Sequence, residues 1–132
     1  MNAPSRSTHE FRFDVGGPSD LAAMRHWMRS VLDGVSPDVA DDAVLLATEL
    51  VTNALDHAQG VRAMRLIFRD SASSYRMEVD DERPDLAPHP GKSSPGEVRG
   101  RGLLLVDALS HRWGVVTHGS EYKTVWAEIA AG

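Results

Sequence analysis

The run Glu49-Leu50-Val51-Thr52-Asn53-Ala54-Leu55-Asp56-His57-Ala58 carries two patterns at once. Leu50 and Ala54 continue an apolar series begun by Val39, Ala43 and Leu46, which is the spacing of one helix face. Glu49, Asn53 and His57 recur at i, i+4 and i+8, forming a polar stripe beside that face. Upstream, Ser36-Pro37 offers a serine suited to an N-cap and a proline suited to the first helical position. Downstream, Gly60 is suited to stop the helix. One long helix from Asp38 to Ala58 is therefore expected.

The stripe has a chemistry. An asparagine offers a neutral oxygen to Mg²⁺, and a glutamate one turn away can orient or deprotonate an attacking hydroxyl. A helix that merely turns polar toward its C-terminus, with His57 helping that end electrostatically, would use the same residues.

Working outward, residues 1 to about 9 are polar and expected to be loose. Phe11, Phe13 and Val15 alternate with Arg12 and Asp14, the period of a short strand. Gly16-Gly17-Pro18-Ser19 breaks it, and Leu21, Met24, Trp27/Met28 and Val31 follow helical spacing from Asp20 to about Asp33-Gly34. Beyond the long helix come a strand from Val61 to Arg69, a turn over Asp70–Ser74 and a strand with Tyr75, Met77 and Val79 on one face. Residues from Glu82 to Gly102 carry Pro84, Pro88, Pro90 and Pro95 and almost no periodicity, so they read as a long loop of the functional or disordered kind. A short apolar helix from Leu103 to Ser110 follows. Strands over Arg112–Thr117 and Tyr122–Ile129 are joined by the hairpin signal His118-Gly119-Ser120-Glu121. This order predicts an α/β two-layer sandwich, with an antiparallel or mixed sheet covered on one face by helices.

With 132 residues, 42% apolar and 25% charged, the chain has the proportions of one globular domain. A net charge of -5 disfavours nonspecific binding to nucleic acid. Zero cysteines excludes disulfides, thiolate zinc sites and a thiol nucleophile. No apolar run approaches the roughly 20 residues of a membrane span, and no secretory signal is visible, so a cytoplasmic protein is expected. The H-E-x-x-H, G-x-S-x-G and Walker-type phosphate-loop patterns do not occur. Trp27, Trp113 and Trp126 read as core or interface residues.

Two further constellations accompany the stripe. Strand alternation puts Asp81 on the face of Tyr75, Met77 and Val79, so an acid is directed toward the apolar layer where the long loop begins. It needs donors there, and an exocyclic amine of a purine would serve; an ordinary strand-end acid in the cluster Asp80, Asp81, Glu82 and Asp85 is the plainer account. Gly100-Arg101-Gly102-Leu103 closes the loop and opens a helix, where glycines admit an anion to backbone amides and Arg99 and Arg101 can reach phosphate oxygens. A flexible loop end explains it equally.

Together, in this order, the three are similar to a known pattern. ELVTNALDH (Glu49–His57) resembles the N-box of the GHKL ATPases, the Bergerat fold shared by histidine kinases and gyrase. The Asp81 region resembles their G1 box, and GRGLLLV (Gly100–Val106) their G2 box. The family's G1 pattern is Asp-x-Gly-x-Gly, and here Arg83 and Asp85 stand where the glycines would be. The small size, the wording ELVTNA and the closing segment through Arg112-Trp113-Gly114-Val115 most resemble bacterial anti-sigma-factor serine kinases and their single-domain relatives.

The resemblance implies a Bergerat-type mixed, mostly antiparallel sheet in a single histidine-kinase-like ATPase domain over residues 10–132, with an ATP lid at about 82–101. It implies ATP and Mg²⁺ as cofactors, with Asn53 coordinating the metal and Glu49 as general base or orienting group. Asp81 would accept a hydrogen bond from the adenine amine. Gly100, Arg101, Gly102 and Leu103 would form the phosphate-binding segment. His57 would have a structural part or one supporting the site from behind, with no settled catalytic role. The implied activity is transfer of the ATP γ-phosphoryl group to a serine of an anti-anti-sigma (STAS-domain) partner, with a sigma factor as second partner. The alternatives are a nucleotide-binding regulator that has lost chemistry and an interaction module that binds no nucleotide. No direct nucleic-acid or membrane contact is expected. Homodimerisation by analogy would use the first strand and helix, with Trp27 and Met28 exposed.

Overall fold

Alternating sequence becomes five strands, and 3.6-residue spacing becomes three helices. A computed structural model of the protein describes residues 7–58, 60–69, 73–85 and 99–131, with residues 99–103 as backbone only. The strands are β1 (Thr8–Phe13), β2 (Val61–Arg69), β3 (Ser74–Asp81), β4 (Arg112–His118) and β5 (Tyr122–Ala130). The helices are α1 (Leu21–Val31), α2 (Pro37–His57) and α3 (Arg99–Leu109).

The sheet order is β1-β2-β3-β5-β4, and each of the four pairings is antiparallel. The sheet is thus antiparallel throughout rather than mixed. The physical reason is the last hairpin: β5 folds back from β4 and occupies the place beside β3, which leaves β4 at the edge.

The helices cover one face only. Buried Ala43, Leu46, Leu50, Val51 and Ala54 of α2 join Met64, Leu66, Met77, Val79, Val125 and Ala127 of the strands in one core. The alanines let the α2 backbone approach the sheet closely. Met24 and Met28 of α1 are fully buried in the same core, and Trp27 is half-buried with its ring 5.3 Å from that of Phe13. Met28 is therefore not the exposed dimer contact expected from the sequence; its helical spacing with Met24 puts it on the inward stripe.

Two element starts move furthest. β1 begins at Thr8, with Thr8 and His9 paired to Arg69 and Phe68, so the strand takes in residues that read as a polar tail. Helix α3 begins at Arg99 instead of Leu103, and Gly100, Arg101 and Gly102 form its first turn. An apolar pattern marks only where a helix begins to bury a face, and the first turn needs no such face. Of the lid expected at 82–101, residues 82–85 make a turn, 99–101 are helical, and 86–98 lie outside the described residues.

Candidate functional site

Chain connectivity brings the end of α2 to the end of β3. The helix stops at His57, β2 starts at Val61, and Val61 is the register partner of Asp81. The reversal between them is tied by the Ala58 and Gly60 amides, which both donate to the Ala54 carbonyl at 3.0 and 3.1 Å. Gly60 adopts φ 108°, a conformation that costs glycine nothing and other residues much. Asn53 lies about 6 Å, one turn, back along the helix from His57, and Glu49 about one turn further.

Glu49 and Asn53 are half-exposed, and neither makes a side-chain hydrogen bond or ion pair among the described residues. Their neighbour Thr48, by contrast, spends its hydroxyl on the Val44 carbonyl at 2.7 Å. The stripe thus holds a carboxylate and an amide that the fold itself does not use.

Helix α3 packs against α2. It runs into β4 at Arg112, which sits beside Glu128 at the end of the sheet remote from Asp81. Its first turn is separated from that remote end by the helix's own length, about 16 Å. Four backbone N–H groups at this N-terminus have no acceptor inside the helix and carry its positive partial charge. Gly100, Arg101, Gly102 and Leu103 are placed here by their backbone.

Asp81 is directed inward, as strand alternation predicts, and is 1% exposed. Its donors come from the protein. The Lys123 ammonium donates to Asp81 Oδ1 at 2.8 Å, and the Arg83 amide donates to the same oxygen at 2.9 Å. Lys123 also donates to the Arg83 carbonyl at 2.7 Å, so one ammonium ties the acid to the turn that follows it. The Arg83 side chain turns outward into a bidentate pair with Asp85 at 3.0 and 2.8 Å. That guanidinium holds the Asp85 carboxyl down at about 2. Two charged side chains thus pair with each other where the G1 pattern would have glycines.

Lys123 was missed in the sequence, although a signal existed. It occupies the inward register of β5 with Val125, Ala127 and Ile129, directly opposite the inward Asp81. Alternation marks each side chain as inward, and the β3–β5 neighbourhood then makes the two a buried pair.

The uncovered face of the sheet carries a second polar cluster. Arg65 forks onto Asp80 at 2.8 and 2.7 Å and also reaches Glu78 at 2.9 Å. Thr124 donates to Asp80 at 2.6 Å; its single proton is then spent, so the His118 Nε2 contact at 2.9 Å has the imidazole as donor. Burial works against the charge of Asp80, but the bonds from Arg65 and Thr124 outweigh it and leave the carboxyl below its ordinary value. Glu128 is likewise lowered, against burial, by Arg112 and Arg76. A shallow cavity of about 390 Å³ opens here between Arg12, Arg65, Asp80, His118 and Tyr122. It is on the opposite face from Asp81, and most of its polar groups satisfy one another.

Among the described residues no group of three or more His, Asp or Glu side chains is arranged to hold a metal ion. Among the described residues no helix is long and apolar enough to cross a membrane. In comparisons with known proteins, the family described as histidine kinase-like ATPase domain matches residues 17–129. An uncharacterized protein of Streptomyces coelicolor is 40% identical over 75 residues, covering 54% of this chain and 70% of that protein.

Proposed function

The chain belongs to the histidine kinase-like ATPase domain family, a family whose domain binds ATP, and from that premise we propose that it is an ATP-dependent protein serine kinase of the anti-sigma type. The supporting observation is the pair on α2: Glu49 and Asn53 make no side-chain bond among the described residues and stand one turn apart on the helix that ends beside Asp81 and against which α3 packs.

In this reading Asp81 receives the base, the first turn of α3 receives phosphate oxygens, and Asn53 presents its side-chain oxygen to Mg²⁺. A lone neutral oxygen fits that ion, which keeps waters and substrate phosphates as its other ligands and does not need a cluster of carboxylates. Bound there, Mg²⁺ would neutralise charge on the phosphates. Glu49 would accept the proton of the partner's serine hydroxyl as its oxygen bonds to the γ-phosphorus and the bond to ADP breaks. The acceptor would be a serine of a STAS-domain anti-anti-sigma protein, and a sigma factor would be the second partner. A homodimer and a cytoplasmic location belong to the same reading. Because Asp81 is 1% exposed, a base that reaches it must displace what covers it.

The Arg83–Asp85 pair, standing where the family pattern has glycines, favours a second reading, a nucleotide-binding regulator without phosphotransfer. The experiment separates the two. Millimolar Mg·ATP is expected to raise the melting temperature, and Asn53→Ala to abolish the rise; no shift in the wild type would refute both. With labelled ATP and a STAS protein, label should move to serine, and Glu49→Ala should slow that transfer about 100-fold or more while keeping the melting shift. Binding without transfer would leave the regulator.

A further inference from the structure

Lys123 is the least expected group in the fold: a lysine whose side chain is 2% exposed, set against an aspartate side chain that is 1% exposed. Removing two charges from water is costly and is offset only when the pair is well hydrogen-bonded. Here the ammonium has the Asp81 carboxylate and the Arg83 carbonyl. Both donors on Asp81, the lysine and the Arg83 amide, fall on Oδ1. A carboxylate in a salt bridge accepts hydrogen bonds and offers no proton. With Oδ1 already engaged twice, a bound base is left with the other oxygen.

We propose that Lys123 is a specificity-determining positioning residue for the nucleobase: by holding Asp81 as an acceptor-only carboxylate with Oδ1 occupied, it makes the site select a base that presents an amine and reject one that presents a carbonyl at the same place. This rests on the reading of Asp81 as the base-binding acid. Adenine and hypoxanthine differ at that one position, an amine against a carbonyl oxygen. A carbonyl facing an ionised carboxylate finds no donor and is repelled, whereas an amine is satisfied. If the lysine is removed, the carboxyl is left buried without its cation. A neutral carboxyl carries an O–H and can donate to a carbonyl as readily as it accepts from an amine.

The test is the ratio of affinities for ATP and inosine triphosphate, both with Mg²⁺, measured by titration calorimetry on the full chain. The wild type is expected to prefer ATP by about tenfold or more. Lys123→Met should bring the ratio to within about threefold, through weaker ATP binding and equal or tighter inosine triphosphate binding. Because an orphaned buried acid endangers folding, the double variant Lys123→Met/Asp81→Asn, which buries no net charge and places both a donor and an acceptor at position 81, is measured beside it and should show the same loss of preference. If Lys123→Met or the double variant weakens both nucleotides by one common factor, Lys123 is only a structural strut and the proposal fails. If the wild type binds both nucleotides equally, the proposal also fails, while the ATP reading stands. If it binds neither, the ATP reading fails and this inference with it.

Discussion

Gly114 of β4 has no room for a side chain. A Cβ built there would meet Trp126 Cζ2 at 2.9 Å, and the indole cannot easily retreat, since the Arg76 guanidinium lies 4.0 Å from its ring centre on the same sheet face. The glycine is needed for this contact and not for an unusual backbone angle. Gly114→Ala is expected to destabilise the protein by about 2 kcal/mol, the usual range for an overpacked contact, and to change the Trp126 environment. Urea unfolding followed by tryptophan fluorescence checks both. Loss of less than about 0.5 kcal/mol would mean that the ring has space the structure does not show.

At the scale of elements, α2 separates stability from chemistry along one helix. Leu46 is fully buried on its sheet-facing side, so Leu46→Ala should cost about 3 kcal/mol. Asn53 makes no bond within the described protein, so Asn53→Ala should change stability without nucleotide by less than about 0.5 kcal/mol. Thermal melts of both variants, with no nucleotide present, test the contrast; an equal loss in the two would show that Asn53 is a structural residue. The elements themselves were largely readable in advance. Helix α2 announced itself because its apolar period, its opening proline and its closing glycine agree. β2 was read with its observed ends, and β4 and β5 within one residue at each end, because alternation and turn residues coincide. The start of α3 was not readable, because Gly100 and Gly102 look like loop and the apolar run begins only at Leu103. The pairing of Asp81 was not readable from its own strand. Alternation fixed its direction, but its partner lies 42 positions away on β5, and only the sheet order makes them neighbours. For the same reason Asp81 seemed to await a ligand's donors.

At the scale of the whole molecule, the sheet divides two regimes. The helix side is an apolar core that holds the buried Lys123–Asp81 ion pair; the uncovered side is a lattice of paired charges from Arg65 to Glu128. That lattice makes the fold acid-sensitive. Asp80 and Glu128 both lie below their ordinary values of 3.8 and 4.5 when folded. A carboxyl lowered by folding stabilises the native state above its unfolded value, and that stabilisation fades as pH falls through the folded value. Stability should therefore be level near neutrality and decline below about pH 4.5. Asp80→Asn should lower stability at pH 7 and make the acid decline shallower. Denaturation midpoints across pH 2.5–7 on wild type and variant test this, and parallel curves would show that Asp80 is not a source of the effect.

Asp80 and Asp81 are consecutive, point to opposite faces, and meet Thr124 and Lys123, which are consecutive and also point to opposite faces. Sliding β5 by a single position against β3 would send the ammonium out to solvent and leave an unneutralised acid inside the apolar layer. Misregistered arrangements of these two central strands thus carry a penalty that mere greasiness could not impose, since Val, Ala and Ile fit almost any neighbour. The two adjacent acids act as a key with one notch, and the alignment of the sheet's middle is checked by charge where shape alone would be permissive.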